Sequence, residues 1–101
     1  MKLLWTKEAL IRLQEIEEFI SRDNTSVATE FVDRLISVAE TIIHSPEIGR
    51  IFPEFSIENI REILHKNYRI VYLVKKNSID ILTAFEGHQF LKKEDIIKNK
   101  N

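Results

Sequence analysis

Three arginines and one acid–histidine pair are the residues of this 101-residue chain best suited to chemistry. Arg50, Arg61 and Arg69 carry guanidinium forks whose parallel N–H groups match the oxygens of phosphate or carboxylate. Glu86 and His88 stand two apart, and residues so spaced share a face of an extended strand. An RNA-cleaving site needs a base for the 2′-OH proton, an acid for the leaving 5′-oxygen and cations for the charge building on phosphate. Arg61, Arg69, Glu86 and His88 could fill those roles, with Arg50 as a further cation. Gly87 can start a turn, which would separate the last two.

The same residues have plainer roles. Arg61 beside Glu62 can be half of a cross-strand ion pair. Arg69, between apolar neighbours, can lay its stem over the sheet with its head in water. Tyr68 and Tyr72 suit sheet packing as well as base stacking. His44 and His65 read as helix-end and strand-surface residues, and no spacing suggests a metal site. No cofactor is implied.

Composition narrows the class. With no cysteine, neither disulfides nor thiolate–metal sites can hold the fold, so packing must. No apolar run approaches the roughly 20 residues of a membrane span, and the N-terminal run is short for a signal peptide, so cytoplasm is the expectation. The net charge is −1, but it is unevenly spread. Residues 1–48 carry five Lys/Arg against nine Asp/Glu, whereas residues 49–101 carry ten against seven. Such asymmetry suits a surface that meets an acidic partner.

The elements that must position these residues follow from periodicity. Residues 2–5 read as a short strand, and Thr6 can cap a helix. Ala9, Leu13, Ile16 and Ile20 then recur at helical spacing. Thr25 or Ser26 can cap a second helix with Ala28, Phe31, Leu35, Ala39 and Ile42 on one stripe, ending near His44 ahead of Pro46. Ile60 to Lys66, Tyr68 to Lys75 and Ser78 to Phe85 alternate by two, as strands do. Lys66-Asn67 and Lys76-Asn77 mark the reversals, with Asn77 suited to a left-handed turn. Tyr68, Ile70, Tyr72 and Val74 should share one sheet face, and Arg69, Val71 and Leu73 the other. The first strand can add at an edge or between later strands. Arg61 and Arg69 are expected to gather on the side away from the helices.

This order of elements resembles the RelE/ParE toxin superfamily over residues 3–91. The resemblance rests on Trp5 and Ala9 at helix one and on Pro46, Gly49-Arg50 and Pro53-Glu54 after helix two. It continues through Arg61-Glu62-Ile63, Tyr68-Arg69-Ile70-Val71-Tyr72 and Ile79-Asp80-Ile81-Leu82. Where relatives commonly carry His-Gly-Arg-Arg, this chain has Glu86-Gly87-His88-Gln89. The resemblance implies an α+β fold, a helical hairpin packed on a small antiparallel β-sheet in the order β-α-α-β-β-β. One domain would span 1–91, with a polar tail over 92–101.

It also implies the toxin of a type II toxin–antitoxin pair, neutralised by a cognate antitoxin. ParE-like members poison DNA gyrase, and RelE-like members cut mRNA on the ribosome. A near-neutral chain with an acidic hairpin favours gyrase, because a nuclease lying against ribosomal RNA needs substantial positive charge. Ribosome-dependent cleavage is the alternative, and a non-toxic antitoxin-binding homologue a third. Arg50, Arg61 and Arg69 are the expected partner-binding residues. An antitoxin could lay a helix in the hairpin groove or extend a sheet edge.

Overall fold

Thr6 starts the first helix and fastens it to the sheet. Its hydroxyl accepts the Ala9 N–H at 3.2 Å and donates to the Ile81 carbonyl at 2.8 Å. The computed structural model describes residues 1–87. Their elements are β1 (Lys2–Trp5), α1 (Lys7–Ser21), α2 (Thr25–Glu40), a 3₁₀ turn (Thr41–Ile43), β2 (Arg50–Ile51), β3 (Ile60–His65), β4 (Tyr68–Val74) and β5 (Ser78–Glu86). The helical run thus ends at His44, as Pro46 requires. The expected tail over 92–101 lies outside the described residues.

The cap of α2 differs from expectation. Asn24, not Thr25 or Ser26, adopts the extended cap conformation, and its side chain accepts the Val27 N–H at 3.0 Å. Thr25 and Ser26 fall inside the first turn. Asn24→Ala should therefore cost about 1 kcal/mol, seen as a melting temperature lowered by roughly 4–8 °C. Ser26→Ala should leave it almost unchanged, and equal losses would refute the assignment.

The strands lie in the order β1-β5-β4-β3-β2. The last four form antiparallel pairs, as expected of the meander. β1 adds at an edge and runs parallel to β5, so the sheet is mixed rather than wholly antiparallel. The whole chain between them, from the helical hairpin to β4, supplies the long connection that parallel pairing needs. The two-residue strand β2 extends the other edge and has no periodicity by which sequence could reveal it. At the β3–β4 reversal Lys66 takes the left-handed conformation with φ of 55°. Asn77 does not, contrary to the expectation for it.

Alternation along β4 divides the core as its pattern requires. Ile70 and Tyr72 face the helices with Ile79, Ile81 and Ala84, meeting Ala9, Leu13, Ile16, Leu35 and Ala39. Val71 and Leu73 face the other way with Ile60, Leu82 and Phe85. There Phe52, Phe55 and Ile57, from the segment linking β2 to β3, fold across the sheet and bury them. Among the described residues no helix is long and apolar enough to cross a membrane.

Candidate functional site

The charged residues singled out by sequence do not form one site. Residues directly opposite across an antiparallel ladder share a face. Arg61 stands opposite Tyr72, which packs toward the helices, whereas Arg69 stands opposite Leu64 and Phe85 on the outer face. The expectation that Arg61 and Arg69 gather on one uncovered side is therefore wrong. Glu86 stands opposite Tyr68, back on the helix side. Tyr68 lies four residues from Tyr72 along β4, a separation of about 13 Å. His88 lies outside the described residues, so its expected convergence with Glu86 does too.

The three arginines instead occupy two structural settings. Arg61 donates to the Gly49 carbonyl at 2.8 Å and makes no ion pair among the described residues. Its expected pairing with Glu62 is replaced by this backbone contact. The neighbouring Tyr72 hydroxyl donates to the Pro46 carbonyl at 2.8 Å and accepts the Gly49 N–H at 2.9 Å. These three bonds fix the chain between the 3₁₀ turn and β2. Burial pushes the Tyr72 phenol up, against a smaller opposing effect of the Gly49 N–H. The Tyr68 phenol is also raised, first by burial and then by the charge of Glu86.

On the outer face, Glu62 is the centre. Its carboxylate is fully buried and accepts from Arg50 Nε and Arg69 Nε, each at 2.5 Å. Arg69, only 12% exposed, also grips Glu54 with both terminal nitrogens at 2.7 Å. Its guanidinium carbon lies 5.0 Å from the Phe52 ring and 5.2 Å from the Phe85 ring, so cation–π attraction adds to the ion pairs. The Arg69 hydrogen bond holds the Glu54 carboxyl below the usual carboxylate range. Reciprocally, Glu54 first and Glu62 next raise Arg69 further above its ordinary value, against its own burial. Arg69 is thus a largely covered group held by two carboxylates, and its head is not in water as one reading of its strand has it.

Glu62 and Glu54, with the rings of Phe52 and Phe85, complete the outer cluster and are not among the expected site residues. Glu62 was detectable. A two-residue turn at Lys66-Asn67 fixes the register, which makes Glu62 and Arg69 diagonal neighbours on one face. Among the described residues, no group of three or more His, Cys, Asp or Glu is placed to hold a metal ion.

A family model described as the ParE toxin of the type II toxin–antitoxin system, parDE, matches residues 3–88. The chain belongs to the ParE toxin family. A protein of Sinorhizobium fredii (strain NBRC 101917 / NGR234) named "Putative toxin Y4kP" is 30% identical over 90 residues, spanning 87% of this chain and 90% of that protein. The solved structure titled "Chromosomal ParDE TA system from P. aeruginosa" has a TM-score of 0.71 at 19% identity, covering 85% of this chain and 95% of the other. That likeness is one of fold. The expected ParE-like α+β architecture is borne out, and as a ParE-family toxin the chain carries its cations in two separate settings, one on each side of the sheet.

Proposed function

We propose that this ParE-family toxin restrains bacterial growth by poisoning DNA gyrase in the cytoplasm and that a cognate antitoxin neutralises it. The observation that carries gyrase over RNA cleavage is the dispersal of the candidate catalytic groups, with Arg69 on the outer face and Arg61 and Glu86 on the helix side. Three of the five Arg69 N–H groups already hold carboxylates of this chain. Arg61 and Glu86 lie too far along the sheet from each other to act on one phosphodiester. Net charge of −1 points the same way. Gyrase poisoning asks only for a complementary protein surface. The antitoxin has two kinds of contact to use, the exposed apolar side chains Leu10, Phe19 and Val27 of the hairpin and the guanidinium groups of Arg50, Arg61 and Arg69.

The test incubates purified protein with gyrase and DNA, and inhibited supercoiling with trapped cleavage complexes is expected. Cut mRNA in a ribosome assay, with gyrase unaffected, would favour the nuclease instead. Normal growth of cells making the protein alone would favour the non-toxic homologue.

A further inference from the structure

Glu62 does more than an ordinary cross-strand ion pair requires. One fully buried carboxylate holds two guanidinium groups by their inner edges, Arg69 through Oε1 and Arg50 through Oε2. An arginine bound through Nε still has the edge formed by its two terminal nitrogens, which faces away from its holder. Two forks are therefore presented by a single anchor. The rings of Phe52 and Phe85 fix the plane of the Arg69 fork, so little conformational freedom is left to lose on binding.

That fork is filled by Glu54, with both carboxylate oxygens taken in the bidentate arrangement typical of arginine–carboxylate recognition. Glu54 comes from the segment between β2 and β3 and is 48% exposed. The Arg50 side chain is 60% exposed, and its terminal nitrogens have no partner among the described residues. Arg50, Arg69 and Glu62 together carry a charge of +1, which Glu54 cancels.

We propose that this triad is a preformed carboxylate seat, that Glu54 is its resident occupant, and that an acidic side chain of the antitoxin displaces Glu54 from Arg69 while also engaging Arg50. The proposal rests on the antitoxin reading given above. A protein carboxylate fits better than a polyanion for two reasons. The seat has a single net positive charge, whereas nucleic acid is held by several cations in register. Its surroundings are apolar and acidic, with Phe55, Ile57 and Glu58 in the same segment. The expected ligand is thus an Asp or Glu within an otherwise apolar stretch. Glu54 acts as an internal competitor that keeps the seat neutral until the partner arrives.

The test measures dissociation of the full-length toxin from its antitoxin for three variants, each checked for an unchanged melting profile. Glu54→Gln removes the competitor, and dissociation should slow about fivefold, the size of one solvent-facing ion pair. Glu58→Gln makes the same change in net charge nearby and should change the rate by less than about twofold. Arg50→Gln should speed dissociation about fivefold. An unchanged or faster rate for a folded Glu54→Gln protein would overturn the proposal, as would an equal effect of Glu58→Gln. If Glu54→Gln melts early, Arg50→Gln decides, because Glu62 keeps its shielded partner Arg69 in that variant, and an unchanged rate then refutes the seat. A wild-type toxin that fails to retain the antitoxin would overturn the antitoxin reading itself, and the seat with it.

Discussion

Arg69→Met is expected to destabilise the fold by about 3–5 kcal/mol, enough to threaten folding in a domain whose total stability is on the order of 5–15 kcal/mol. The substitution keeps an apolar stem between Phe52 and Phe85 but strips the buried Glu62 carboxylate of its shielded partner. Glu62 would then hold only Arg50, whose own charge faces water. The loss comes mainly from a stranded charge, not from the bonds removed, since a buried ion pair contributes little net stability against apolar residues of similar volume. Glu62→Leu combined with Arg69→Met should therefore recover most of the loss. Urea denaturation of the three proteins checks this. A double variant no more stable than Arg69→Met alone would show that the damage lies in packing and not in charge.

How much of this was legible beforehand divides along physical lines. The helices and the three long strands were readable because their apolar residues recur at 3.6 or 2, and burial against a common core enforces that repeat. The division of β4 into Tyr68, Ile70, Tyr72 and Arg69, Val71, Leu73 followed directly and holds. The shared face claimed for Arg61 and Arg69 was an avoidable error. With a two-residue reversal at Lys66-Asn67, paired positions sum to a constant, so odd positions of β3 lie opposite even positions of β4. Arg61 therefore had to join Tyr72, and Glu62 the row of Arg69. Local residue types could not supply the partners of Glu62. Arg50 reaches Glu62 from the two-residue strand β2 directly opposite, and Glu54 reaches Arg69 from a segment whose path across the outer face is set by Phe52 and Phe55 packing there, choices with no period. The cap was missed for another reason. Asn24, Thr25 and Ser26 are all good caps, and composition alone does not choose among neighbours.

Gly49→Ala is the second large effect, and it tests whether the corner before β2 positions both arginine settings at once. Gly49 has no positive φ, so no backbone strain is involved and any penalty is steric. A Cβ there would stand 2.3 Å from the Glu62 carbonyl oxygen and 2.7 Å from the Tyr72 hydroxyl. The first neighbour is sheet backbone and cannot step aside without parting β2 from β3. The second is a buried hydroxyl held by Pro46 and by Gly49 itself. Overpacking at a rigid site costs about 1–3 kcal/mol, and loss of the Tyr72 bonds would add about 1–3 kcal/mol for each buried polar group left unpaired. Arg50 follows Gly49 directly, and Arg61 is bound to its carbonyl, so displacement should loosen both. Thermal melting should show the loss, and antitoxin dissociation should quicken along with it. Adding Tyr72→Phe removes only the softer clash, so it should restore little. Full rescue by that second change would mean that the hydroxyl, and not the Glu62 carbonyl, makes glycine necessary at this corner.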